Sequence, residues 1–218
     1  MRSISRFFAA ALAVFLLTPL VACQKRTPGH FAPTIIPQEF RVGVAWFTQP
    51  TTTSELIAGQ LPDGQGRINP GLLPDLDIML ARALSQESNR QYVTLAAPAS
   101  MPSILHHESG TPQGLQTWLA IGKKADVDLL FVPQIIHWQE RDGGEAGVAT
   151  SASIKAEFYL IDIARTRLLK RSVFEEQQIG LSENLLTVGK FFKRKGRWVS
   201  ATELTQEGMR AAIREFGL

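Results

Sequence analysis

Between Ala152 and Leu160 the chain alternates apolar and polar residues more cleanly than anywhere else. Ala152, Ile154, Ala156, Phe158 and Leu160 fall on one side; Ser153, Lys155, Glu157 and Tyr159 fall on the other. A period of two predicts a strand with one face in the core. Phe40 to Phe47 has the same period, with Val42, Val44 and Trp46 set against Arg41, Gly43 and Ala45, and predicts the first strand. Leu129 to Val132 is an unbroken apolar run, continued by Ile135, Ile136 and Trp138. Such a run suits a central strand buried on both faces. Tyr92 to Leu95 is a short strand, and Leu168 to Gln177 is the return strand of a hairpin that turns at Ile163 to Thr166.

Elsewhere the apolar spacing is helical. Leu76, Met79, Leu80, Ala83 and Leu84 make one stripe behind Pro74, a residue suited to the first helical turn. Leu115, Trp118 and Leu119 mark a second helix over 115–123. Two helices close the chain. Ser182 is placed to cap the first, with Leu185, Val188 and Phe192 on its stripe. Ser200 and Glu203 have the spacing of a capping box for the second, Val199 and Leu204 that of a hydrophobic staple. Met209, Ala212, Ile213 and Phe216 form its apolar side. The order is β-α-β-α-β-β-β-α-α. It predicts a single α/β (α+β) domain over residues 40–218, three-layer-like, with a mixed sheet, an antiparallel meander and packed helices. Thr48 to Gly71 and Pro98 to Pro112 read as loops. The first is longer than compact domains usually carry, which marks a functional or mobile segment.

The N-terminus changes the picture. Arg2 and Arg6 precede an apolar run that ends in Leu20-Val21-Ala22-Cys23. Basic, then apolar, then small residues is the order of a secretory signal. Phe7 to Val21 is too short to span a hydrocarbon core, which takes about 20 residues. Cys23 is the sole cysteine, so it has no internal disulfide partner. Leu-x-Ala-Cys resembles the lipobox of bacterial lipoproteins. The resemblance implies cleavage before Cys23, covalent diacylglycerol on its thiol and an N-acyl lipid on its amine, with no other cofactor. Gln24 in place of Asp implies transfer to the outer membrane, lipid-anchored at its periplasmic face. Residues 1–22 are then signal peptide and 23–39 a lipidated tether, carrying Lys25, Arg26 and several prolines. Of the 23 Lys and Arg, Arg2 and Arg6 leave with the signal, so 21 face 20 acids in the mature chain. A nearly neutral domain gives no general affinity for nucleic acid.

Three stretches carry a further resemblance: Ala125-Asp-Val-Asp-Leu-Leu-Phe-Val132, Ala156-Glu-Phe-Tyr-Leu-Ile-Asp162, and Leu168 to Phe174. Together they are similar to the α/β domain shared by the TolB N-terminal domain, the curli-secretion lipoprotein CsgG and the peptidoglycan-synthase activator LpoB. The resemblance covers Phe40 to Gln177 and implies protein partners or pore assembly, with no active site. The family turn is Thr-Gly-Lys/Arg, whereas this chain has Arg165-Thr166-Arg167.

Candidate chemistry is sparse. His106-His107-Glu108, with His137 farther along, lacks zinc-ligand spacing, since neighbours on an extended chain point apart. Glu175 and Glu176 point apart for the same reason, and no G-x-S-x-G elbow is present. Asp126 and Asp128 share a side and mark the entry to the central strand; Asp75 and Asp77 meet a helix dipole. The densest surface is Lys190-Phe-Phe-Lys-Arg-Lys-Gly-Arg-Trp198. Lys190, Lys193, Arg194, Lys195, Arg197 and Trp198 make it the candidate contact surface for a membrane, an envelope protein or a peptidoglycan-associated partner. The expectation is a non-enzymatic, lipid-anchored periplasmic interaction module. Its rivals are a subunit of an export assembly and a hydrolase with an unrecognised site.

Overall fold

The computed structural model describes residues 35–98, 111–144, 148–178 and 197–218. Its elements are β1 (Val42–Val44), α1 (Leu73–Glu87), β2 (Tyr92–Thr94), α2 (Gly114–Lys124), β3 (Leu129–Gln139), β4 (Asp142–Gly143), β5 (Val148–Thr150), β6 (Ser153–Asp162), β7 (Arg167–Gln177) and α3 (Ala201–Phe216). Five strands form one mixed sheet in the order β2-β1-β3-β6-β7, and β4 and β5 form a small second sheet. β1 runs parallel to β2 and β3; β3, β6 and β7 are antiparallel neighbours. The predicted α/β class and meander are as observed. The helix expected from Ser182 lies outside the described residues.

α1 and α3 cover one face of the sheet. Leu76, Leu80, Ala83 and Leu84 of α1 and Leu204, Met209, Ala212, Ile213 and Phe216 of α3 share a core with Val42, Phe131, Ile154 and Phe158. Phe131 stacks on Phe158 at 6.0 Å and meets Phe216 edge-on at 5.8 Å. α3 is closed at both ends. The Ser200 side chain accepts from Glu203 N at 3.1 Å, and Ser200 N donates to the Glu203 carboxylate at 2.8 Å. Gly217, at φ 73°, turns the chain out of the helix, and Leu218 N reaches back to Ile213 O at 3.1 Å. Lys170 Nζ, 3.1 Å from Phe216 O, places a cation at the negative end of the dipole.

The other face is closed differently. α2 brings Trp118 and Leu119 against Leu130, Val132 and Ile161, but covers only part of the sheet. Thr48 to Gly71 covers more of it. β1 is three residues long, so β3 outruns it and has an unpaired edge beyond Val132. The loop takes up that edge: Ile135 N donates to Thr48 O at 2.8 Å and Trp138 N to Gly66 O at 3.1 Å. Buried backbone groups need such partners. A Cβ on Gly66 would stand 2.2 Å from Trp138 O, so only glycine permits the approach.

Two expectations on side-chain direction change. Trp46 does not share a face with Val42 and Val44. The strand ends at Val44, the alternation slips, and Trp46 joins the α2 side against Trp118. Glu157 and Tyr159, on the polar side of β6, are buried rather than solvated, because the loop lies over them. At the N-terminal border, Ile36, in the stretch expected as tether, is buried in the core. Buried Arg90 clamps that approach, its guanidinium donating to Phe40 O at 2.9 Å, Pro37 O at 2.8 Å and Ile36 O.

Candidate functional site

The crossover from β1 to β2 passes over one face through α1, and that from β2 to β3 over the other through α2. Where successive crossovers diverge, a crevice opens beyond the carboxyl ends of the strands. Here it is a cleft of about 500 Å³. Trp46, Trp118, Pro50, Pro70, Leu73 and Pro74 supply its apolar walls. The two indoles meet at 5.0 Å, tilted by 57°.

Its polar groups are few and committed. Asp77 Oδ1 accepts from Phe47 N at 2.6 Å. Burial pushes the Asp77 carboxyl above its ordinary value, against the opposing pull of that hydrogen bond. Glu55 accepts from Thr51 N at 2.6 Å and from its hydroxyl at 3.0 Å. Gln134, buried, donates to Glu55 O at 3.1 Å and accepts from Ile57 N at 3.4 Å. Gln134 fastens the loop to the sheet, the Glu55 carboxylate closes a turn within the loop, and Asp77 ties α1 to the chain just after β1. Thr48 Oγ1, also on the lining, is enclosed and has no hydrogen-bond partner among the described residues.

A second polar cluster lies under the loop. Arg171 Nε and Nη2 grip the Glu157 carboxylate at 2.9 and 2.8 Å, and the Tyr159 hydroxyl donates to the same carboxylate. Tyr159 also reaches Ala58 O at 3.2 Å. Burial, then the Glu157 carboxylate, pushes the Tyr159 phenol far up, so it stays a donor. Gly59, at φ 85°, brings the loop backbone close over Arg171. The cluster is a clasp between loop and sheet.

The sequence-predicted residues divide. Cys23, Lys190, Lys193, Arg194 and Lys195 lie outside the described residues, as do His106, His107 and Glu108. Arg197 and Trp198 are described, and both are fixed to the domain. Gln178 Nε2 donates to Arg197 O at 2.9 Å and its Oε1 accepts from Val199 N at 2.7 Å. The Arg197 guanidinium pairs with Glu203 at 2.7 Å, and Arg141 donates to Trp198 O. Gln178 comes directly after β7, so its side chain joins the end of β7 to the approach to α3.

Asp126 and Asp128 both serve Arg41: Asp126 pairs with its guanidinium, and Asp128 accepts from its backbone N at 2.7 Å. His137 Nδ1 accepts from Gly66 N at 3.0 Å, a structural bond. Among the described residues no three His, Cys, Asp or Glu side chains are placed to hold a metal ion, and no helix is long and apolar enough to cross a membrane. Sequence reasoning missed Asp77 as a cleft wall. The signal available was an acid inside an apolar stripe, between Leu76 and Leu80.

No family model matches the chain, and no curated protein matches it. Solved structures do resemble it. The PelC dodecamer from Paraburkholderia phytofirmans superposes with a TM-score of 0.49 at 9% identity, over 86% of this chain and 94% of that one. The hypothetical protein CT253 from Chlamydia trachomatis gives 0.42 at 12% identity, over 82% and 98%. Lipoprotein GNA1162 from Neisseria meningitidis gives 0.34 at 8% identity, over 72% and 98%. The structures similar to this chain thus include a bacterial lipoprotein. Likeness at this level carries no function across.

Proposed function

We propose that the protein is a lipid-anchored module of the bacterial cell envelope, held by Cys23 at the periplasmic face of the outer membrane, and that it works by binding rather than by catalysis. The observation that carries the binding half is the cleft beyond β1. It is open and apolar, walled by tryptophan and proline, and its carboxylates and amide are spent on backbone groups of the chain around it. A concave apolar wall with few polar groups is what a ligand or partner surface needs. A hydrolase needs a nucleophile or base facing the substrate with its orienting partner behind it. The basic segment is a second contact, toward an envelope protein or a peptidoglycan-associated partner. Its last residues, Arg197 and Trp198, are braced by Gln178 and Arg141.

A photo-crosslinker at Pro74, on the exposed rim of the cleft, tests this in the anchored chain. A partner adduct is expected that disappears when Leu73 is changed to Arg, and that a crosslinker at exposed Arg82 does not form. Turnover of an ester or glycoside abolished by Asp77→Asn would overturn the binding reading in favour of the hydrolase. Cys23→Ser is expected to abolish fatty-acid labelling; persistent labelling would remove the anchor. Changing Lys193, Arg194 and Lys195 to Gln is expected to weaken binding at low salt with little effect on melting, since exposed charges contribute little to folding.

A further inference from the structure

β7 is an outer strand of eleven residues. Among the described residues no strand pairs with its outer edge. Natural edge strands are usually kept short, bulged, interrupted by proline or studded with scattered charge. β7 is long and has no proline, and its one bulge, at Leu169, lies near its start and leaves residues 170–177 in regular register. Its charges are sorted by sign: Arg167, Lys170 and Arg171 lie in the first half, Glu175 and Glu176 in the second. Between the halves stands Val173, 48% exposed on the side away from α3.

We infer that β7 is a self-pairing edge, its occupant the β7 of a second copy of this chain, antiparallel, with the two-fold axis at Val173. That register is the one that the charges select. It sets Val173 against Val173, Arg171 against Glu175 and Lys170 against Glu176. Arg171 and Glu175 both lie on the face of Val173, whereas Lys170 lies on the α3 face with Ser172, whose hydroxyl meets Glu215. Opposite charges and apolar side chains directly across two strands attract, and a two-fold axis makes each such contact twice. The Arg171 guanidinium keeps its grip on Glu157 in this arrangement, because Glu175 approaches from the open side. Glu175 is 68% exposed in its side chain and is already paired with Lys155 at 3.4 Å, so Arg171 of the second copy would extend an existing charge row.

The helices leave room. α3 shares its core with β6 and β7 through Phe158 and Phe174. In the paired sheet, the two copies of β6 stand three strand spacings apart, roughly 14 Å. Packed helices need about 8–10 Å between axes, so the two α3 helices fit side by side.

Disulfide trapping on the full anchored chain in its membrane tests the register. In a Val173→Cys chain the two thiols face each other across the axis, and antiparallel pairs at about 5 Å between Cβ atoms oxidise readily after small adjustment. In a Glu175→Cys chain the two thiols are roughly 14 Å apart along the strands. The expected result is a covalent dimer for position 173 at least tenfold faster than for position 175, with the parent chain, which keeps Cys23, as background. Equal rates at the two positions, or none above the parent, would overturn the inference. Val173→Lys sets like charges face to face across the axis, while its cross-strand neighbour on β6, Glu157, has the opposite sign. In mild detergent, sedimentation should read a dimer for the parent and a monomer for this variant. A parent that sediments as a monomer across the accessible concentration range, or a Val173→Lys chain that stays dimeric, overturns the proposal as well.

Discussion

The two faces of the sheet are closed by different kinds of chemistry. On one, α1 and α3 lay apolar stripes across the strands, and the core is continuous from Leu76 to Phe216. On the other, α2 covers part of the sheet and the Thr48 to Gly71 loop covers the rest, through Ile57 in the apolar cluster and through polar fastenings, Tyr159 to Ala58 O and Gln134 to Ile57 and Glu55, above a Glu157–Arg171 pair that ties β6 to β7. The first kind of closure tolerates loss in proportion to the volume removed, because apolar contacts are many and individually small. The second rests on a few groups, and losing one leaves its buried partner uncompensated. The loop face is also the one that meets the cleft, so the part of the molecule fastened by individual polar groups is the part placed to bind.

The largest effect expected is on the helical face. Phe216→Ala removes a fully buried ring that touches Phe131 and should cost about 4 kcal/mol in chemical denaturation. Next comes the clasp under the loop. Arg171→Met leaves the buried Glu157 carboxylate without its cation and should cost about 3 kcal/mol. Adding Glu157→Leu to that variant should recover most of the loss, since both charges are then gone. Recovery would show that the loop face needs matched groups rather than this pair. Additive losses would erase the contrast between the faces.

Smaller effects isolate local terms. Ser200→Ala removes half of the capping box and should lower stability by about 1 kcal/mol in thermal melts. Thr166 stands where the turn takes φ 50°, a region that a β-branched residue enters at a cost. Thr166→Gly should therefore stabilise the hairpin by up to about 1 kcal/mol. The last effect is confined to acid. Burial works against the Asp162 carboxylate, but the Arg165 N–H, the Arg165 side chain and Arg167 outweigh it and hold its pKa below the ordinary 3.8. A lowered carboxylate stabilises the fold above 3.8, and the contribution is lost as pH falls through the lower folded value. Denaturation of Asp162→Asn between pH 5 and pH 3 should accordingly fall less steeply than that of the parent.

Much of the architecture was legible because it repeats. The stripe of α1, the alternation of β6 and the apolar run of β3 each place a residue type at a fixed interval, and the interval names the element. The Ser200 and Glu203 box was readable because its partners stand three residues apart. The turn at Thr166 was open from the sequence, since the residue type argues against the conformation that the hairpin imposes on it.

What the chain determined by itself is therefore local: where strands and helices form, which faces of the helices are apolar, and where α3 begins. What only the tertiary structure decided is which distant groups meet. Ile57 and Gln134 are 77 residues apart, Ala58 and Tyr159 are 101 apart, and neither pair leaves a period to read. The slip of Trp46 to the α2 side has the same origin, because β1 ends where its neighbours stop pairing with it. Alternation and helical spacing record how a residue is turned relative to its near neighbours. A long loop that closes a sheet and opens a cleft is held instead by a few apolar contacts and single hydrogen bonds between remote residues, and those exist only once the sheet has brought them together.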